Sequence, residues 1–162
     1  MLTSLAPAGT STARRSTRKH KGDPEVAAIC HLAEVVLMVR DVDRSVEFYR
    51  DVLGLTVISP DLHGPVFLQI GERSSGVPQQ IVLIPRPAGA PDLPTERAFR
   101  SVHHIGLEVE EESFEREWKR LQKLGFEVRT GVHPFLSVEA IYVDDPDGNE
   151  VELVAARPDR KA

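Results

Sequence analysis

Residues 103–130 read HHIGLEVEEESFEREWKRLQKLGFEVRT, and residues 33–59 read AEVVLMVRDVDRSVEFYRDVLGLTVIS. Aligned at an offset of 70, Leu37 meets Leu107, Val39 meets Val109 and Phe48 meets Trp118. The second copy then holds one extra residue. At an offset of 71, Gly54 meets Gly125, Leu55 meets Phe126 and Val57 meets Val128. Further on, Ile81-Val82-Leu83-Ile84 meets Val151-Glu152-Leu153-Val154, again at 70. The matches fall on core-type positions, so the chain carries two copies of one structural unit.

Each copy reads as strand, helix and three shorter strands. Period-2 alternation predicts first strands over 34–40 and 104–110. A helix over 43–53 follows, with Asp41 as N-cap and Val42, Val46, Tyr49 and Leu53 on one stripe. Its counterpart spans 112–124, with Phe114, Trp118 and Leu121 on the stripe. Gly54 and Gly125 stand where a helix is ended by a residue of positive φ. The shorter strands are expected at 55–59, 65–70 and 80–85, and at 126–130, 138–143 and 150–155. The predicted class is α+β, with two βαβββ modules paired to form a concave, sheet-lined cavity. Module one spans 31–85 and module two 101–156, within a domain of 26–156. The Pro-rich stretch RPAGAPDLPTERAFR (86–100) is the linker, and 157–162 form a tail.

Composition narrows the partners. The formal charge is -5, yet residues 1–22 carry Arg14, Arg15, Arg18, Lys19 and Lys21 and no acid. Taking those five positives off the total leaves -10 on residues 23–162. An acidic body argues against nucleic acid, whose phosphates require a basic surface. No apolar run reaches the roughly 18–20 residues of a membrane span. Residues 1–25 are expected to be a disordered basic extension, with a mis-chosen start codon or an organellar transit peptide as the other readings. No secretory pattern is present. The lone Cys30 cannot form an internal disulfide, which suits a reducing, cytoplasmic setting.

The alternation also says which side chains leave the core. Leu37/Val39 and Leu107/Val109 face it, so Glu34, Val36 and Met38, and His104, Gly106 and Glu108, face the other way. In the last strands Gln80, Val82 and Ile84, and Glu150, Glu152 and Val154, share that open face. At equivalent corners the two copies present Glu34, His104, Val82 and Glu152. Three of these could bind a metal and Val82 could not.

Residues 31–156 resemble the vicinal oxygen chelate superfamily, which holds glyoxalase I, bleomycin- and fosfomycin-resistance proteins, methylmalonyl-CoA epimerase and extradiol dioxygenases. The resemblance rests on VRDVDRSVEFYRDVLGL, HHIGLEV and DPDGNEVELV, in this order. It implies metal ligands at Glu34, His104 and Glu152. Glyoxalases and epimerases add a fourth ligand at the position of Val82, so their pattern is broken here. The three-ligand pattern is that of ring-cleaving dioxygenases and fosfomycin-resistance enzymes, which usually have histidine where Glu34 stands. Dioxygenases also place a tyrosine ten residues before the glutamate ligand, as Tyr142 stands before Glu152. Where they often carry two histidines, one acting as base, this chain has Gln79-Gln80.

Two carboxylates and an imidazole form a hard donor set suited to Fe²⁺ or Mn²⁺, with Zn²⁺, Ni²⁺ or Mg²⁺ as alternatives. Such a metal acts as a Lewis acid toward a substrate that chelates through two oxygens. Tyr142 supplies a hydrogen bond to developing charge, and Gln80 orients substrate without serving as a base. The expected activity is that of an extradiol-type dioxygenase on a small-molecule substrate. The alternatives are a glyoxalase- or epimerase-like lyase or isomerase, and a metal-free drug- or metabolite-binding protein. Glu34, His104 and Glu152 each also admit a surface or structural role. His103 is expected on the core side, His31 on the face opposite Glu34, and His63 and His133 in loops. The resemblance further implies a homodimer, with the linker permitting a closed monomer or exchange of modules.

Overall fold

The structure is a computed structural model that describes residues 31–62, 64–71, 77–92 and 94–157. The basic extension, Cys30 and His63 lie outside the described residues. Module one contributes β1 (Glu34–Val39), α1 (Val42–Val46) continued by a π-helical segment (Glu47–Val52), β2 (Thr56–Val57), β3 (Val66–Gln69) and β4 (Gln80–Pro85). Module two contributes β5 (His104–Glu108), α2 (Glu111–Lys123), β6 (Arg129–Gly131), β7 (Val138–Asp144) and β8 (Glu150–Ala156). A 3₁₀ turn, Arg97–Phe99, lies in the linker. Among the described residues no helix is long and apolar enough to cross a membrane.

Each module forms a four-stranded sheet of the same order, β1-β4-β3-β2 and β5-β8-β7-β6. In each, the first strand runs parallel to the last, and the helix provides the crossover. This is the α+β architecture expected from the repeat. The edge strands β1 and β5 line the same two cavities, so the modules approach along those edges. One apolar core unites them: Leu37, Val39, Tyr49 and Leu83 from module one pack in the same cluster as Leu107, Phe114, Leu121 and Leu153.

Local chemistry explains the boundaries. The Asp41 carboxylate accepts from the Arg44 backbone N–H and so caps α1. Gly54 and Gly125 take φ of 80° and 89°, which a residue with a Cβ enters at a cost. Two expectations need correction. The helix of module one is not a regular α-helix, because Leu53 N–H reaches back five residues to Phe48 C=O and the turn widens. Phe48 and Tyr49 are both buried as a result, one meeting Phe126 edge-on and the other reaching Asp145. The strands expected at 55–59 and 126–130 shrink to Thr56–Val57 and Arg129–Gly131, since each is an outer strand paired on one side only.

The turn DPDGN (145–149) locks module two onto module one. Asp145 is 5% exposed and its carboxylate accepts four hydrogen bonds: from the Asp147 and Asn149 N–H groups, from Asn149 Nδ2 and, at 2.9 Å, from the Tyr49 hydroxyl. Asp147 is 3% exposed and takes the backbone N–H and the Nε–H of Arg40. Burial beside Asp145 holds the Tyr49 phenol well above its ordinary pKa, so it remains a donor. Tyr49→Phe leaves one buried acceptor short of a donor and is expected to cost about 1–3 kcal/mol in denaturant unfolding. Asp145→Ala, which frees all four donors, is expected to cost more than Tyr49→Phe. Equal costs would show that the cross-module bond alone carries the turn's contribution.

Candidate metal centre

The β7–β8 hairpin turns the ten-residue spacing of Tyr142 and Glu152 into a direct cross-strand pair. On the other side of Glu152 lies Gly106, its neighbour in β5. The row across the open face is therefore Gly106, Glu152, Tyr142 and Arg129, and the next row is His104, Glu150 and Asp144. His104 reaches diagonally to Glu152, with Nε2 3.3 Å from Oε2. The Tyr142 hydroxyl donates to Oε1 at 2.5 Å.

The two glutamates of this face have opposite surroundings. Glu150 is held by the guanidinium groups of Arg97 and Arg129, which also bind Asp144. Two cations and two anions cancel there. Burial opposes the Arg129 charge, but its bonds to Asp144 and Glu150 prevail and raise its pKa. Glu152, whose side chain is only 12% exposed, has no Lys or Arg among its partners. A carboxylate so withdrawn from water and faced by a phenol and an imidazole lacks a guanidinium or ammonium partner, and a divalent cation is a partner its chemistry suits.

A divalent ion fixes how far apart its donor atoms stand. Donors about 2.0–2.2 Å from one ion stand roughly 2.8–3.1 Å apart at adjacent positions of an octahedron and roughly 3.3–3.6 Å apart in a tetrahedron. The His104–Glu152 separation falls in the tetrahedral range, so this pair fits a divalent ion. Glu34 stands elsewhere: its carboxylate accepts from Gln80 Nε2 at 3.0 Å, across the β1–β4 pair. Glu34, His104 and Glu152 do not form a triad with donor atoms within 4.8 Å of one another; among the described residues His103, His104 and Glu150 do. Val82 is buried at 3% exposure, within an apolar row of Val36, Val82 and Phe67.

His103 was expected toward the core. Instead its side chain is 76% exposed, and its Nδ1 lies 2.9 Å from Nδ1 of His104, because the alternating strand begins only at His104. His133 turns its Nδ1 inward to its own loop, accepting from the N–H groups of Phe135 and Leu136. His31 is exposed ahead of β1.

Two glycines make room for these side chains; alternation places Gly106 on the open face but assigns neither Gly106 nor Gly131 a role. A Cβ on Gly106 would come within 3.1 Å of Glu152 Oε2. A Cβ on Gly131 would come within 2.6 Å of the Tyr142 ring, which lies over β6. For Gly106 the signal in the sequence is glycine inside a strand pattern, which marks close approach of another group, whereas Gly131 lies just past the strand expected at 126–130.

A profile of the Glyoxalase/Bleomycin resistance protein/Dioxygenase superfamily matches residues 31–153. The chain belongs to this superfamily. It is 27% identical over 129 residues to catechol-2,3-dioxygenase of Bacillus subtilis, covering 79% of this chain and 42% of that protein. It is 32% identical over 146 residues to MhqA of the same organism, named as a ring-cleaving dioxygenase, covering 86% of this chain and 44% of that protein. The chain thus spans less than half the length of these relatives. Among solved structures, a glyoxalase/dioxygenase from Nostoc punctiforme superposes with a TM-score of 0.66 at 18% identity, covering 86% of this chain and 99% of that one. A fosfomycin resistance protein from Listeria monocytogenes, solved with Mn(II) and 1S,2S-dihydroxypropylphosphonic acid, gives 0.60 at 21% identity, covering 80% and 93%. These two share the fold.

Burial, the bond to Glu152 and the charges of Glu152 and Glu150 push the Tyr142 pKa up to about 12. Both tyrosines of the chain are thus harder to ionise folded than unfolded, where phenols titrate near 10. Their contribution to stability is complete below about pH 10 and is lost as pH rises toward and past the folded values. Near-ultraviolet titration of the metal-free protein should show no phenolate at pH 10 until it unfolds. Gly131→Ala should displace the Tyr142 ring and return its titration toward 10, while Tyr49 stays suppressed. An unchanged Tyr142 titration in that variant would refute the role given to Gly131.

Proposed function

We propose that this chain is a metal-dependent module of extradiol-dioxygenase type, acting on a small substrate that presents two adjacent oxygens. The observation that carries the reading is Glu152, a withdrawn carboxylate without a cation, one ion's span from His104 Nε2 and bonded to Tyr142. The identities to a catechol-2,3-dioxygenase and a ring-cleaving dioxygenase support the reaction class.

Mechanism follows from what these side chains can do. His104 and Glu152 would hold the ion, with Glu34 as the proposed third ligand once it leaves Gln80. Fe²⁺ or Mn²⁺ suits the set best, and such an ion would supply Lewis acidity toward a chelating diol together with redox chemistry. Tyr142 stays neutral at working pH, so it donates a hydrogen bond and does not accept a proton. It orients Glu152 in the resting site and stands ready to donate to substrate oxygen beside it. Gln80 is an amide and serves only to position Glu34 or the substrate. The buried Val82 offers no fourth donor, which disfavours the glyoxalase and epimerase pattern.

We also propose a homodimer. The β6–β7 loop exposes Val132, Phe135 and Leu136, apolar surface that a second copy would cover.

Metal analysis of purified protein is the direct test. About one equivalent of iron or manganese is expected, retained in Gln80→Ala and lost in His104→Ala and Glu152→Gln. Loaded protein should consume dioxygen with at least one member of a catechol panel. A folded protein that binds neither metal after reconstitution would end the dioxygenase reading and leave a metal-free binding protein in its place.

A further inference from the structure

A cavity of about 250 Å³ lies between β1, the linker and the start of β5, and His104 forms part of its wall. Its apolar lining comes from Val36 and Met38 of β1, Phe99 of the linker, Val102 just ahead of β5, and Ile105 of β5. Val36, Met38, Phe99 and Val102 are each more than 45% exposed, so this surface has no cover of its own. The volume suits one substituted ring or a short branched chain, and falls below that of drug-sized pockets, about 300–1,000 Å³.

The charge on the wall is specific. Arg97 is balanced, with Arg129, by Asp144 and Glu150. Arg100 is not. Its Nε–H donates to the Pro94 carbonyl at 2.9 Å and its Nη1–H to the Gly148 carbonyl at 2.5 Å, both neutral acceptors. Among the described residues no carboxylate pairs with it, and its Nη2 makes no hydrogen bond. Two of five N–H donors are used to fix the guanidinium in place, and the rest remain. In a body of charge -10, a fixed and unpaired guanidinium over an apolar cavity favours one kind of guest.

We propose that this cavity binds an apolar carboxylate, a small aryl or branched-alkyl acid, with its carboxylate on Arg100 and its body against Val36, Met38 and Phe99. The inference deepens the function proposed above and rests on it in one respect. A substrate whose paired oxygens lie at His104 and Glu152 would direct its acidic substituent here, so the preferred diol carries a carboxyl group.

The binding claim is separable from the metal. Chelator-treated protein, residues 1–162, is titrated with benzoate and with neutral benzamide, followed by amide NMR and calorimetry. Benzoate should shift residues 36–38 and 99–105 and bind about tenfold tighter than benzamide or better. Arg100→Gln should remove the preference. Because Arg100 also anchors the linker, Val36→Trp provides a second variant: it fills the cavity from an exposed position and should abolish benzoate binding with the fold intact. Glu152→Gln should lose metal and keep benzoate binding, which separates failure of the metal reading from failure of this one. Equal binding of the two probes, or shifts confined to other residues, would overturn the proposal.

Discussion

Asp145 is a carboxylate placed where carboxylates are expensive, and the rest of the molecule is arranged around making it acceptable. Two backbone N–H groups and one amide come from its own turn, and the fourth donor comes from Tyr49 of the other module. No donor can be withdrawn without leaving a buried anion short. The turn therefore has one conformation and one docking position. Asp147 repeats the device with Arg40 at the end of β1. These contacts determine where β8 begins, and hence which of its side chains reaches the open face. The positions of Glu150 and Glu152 thus depend on a bond between modules some distance from them in function, though only a few residues away in sequence.

The two glutamates show why residue type alone does not make a site. They sit two apart on one strand, on one face, with similar shielding from water. Arg129 and Arg97 neutralise Glu150, leaving it little reason to take a further cation. Glu152 has a phenol and an imidazole as partners, and no Lys or Arg. The same contrast weakens the His103–His104–Glu150 cluster as a metal centre: an ion there would face two guanidinium groups across one carboxylate. His104 is common to both clusters, and its Nε2 is aimed at the carboxylate without a counter-charge.

The repeat, its strand faces and the helix-ending glycines were legible because periodicity and φ requirements are properties of the chain itself. The Tyr142–Glu152 pair was legible as a spacing, and the hairpin explains the spacing. What was not legible depended on groups meeting from far apart in sequence. Nothing in the sequence shows that Arg97 and Arg129 converge on Glu150, 53 and 21 residues away by their numbering, or that Arg100 closes on the Gly148 carbonyl. His103 was misplaced because alternation was extended one residue beyond the strand. The widened helical turn was hidden for a related reason: an apolar stripe fits a regular helix and a π-helical segment almost equally over two turns. Gly106 reads as a weak strand residue, and Gly131 as a residue outside the strand, until the side chains that occupy their empty space are known.

The inequality of the two modules follows from their likeness. Module two's row of Gly106, Glu152 and Tyr142 corresponds in module one to Val36, Val82 and Phe67. In this row one copy carries polar side chains and the other apolar ones, whereas Glu34 and Gln80 keep the preceding row of module one polar. A symmetric pair of polar rows would leave two withdrawn carboxylates on one domain, each costly without a cation. Keeping one avoids the second penalty and sets an apolar row in module one where module two has a polar one. The edge strand of that row, at Val36 and Met38, is where the cavity beside His104 begins. The two near-copies thus differ in this row, and the metal centre and the acid-binding cavity proposed above draw on its polar and its apolar version respectively.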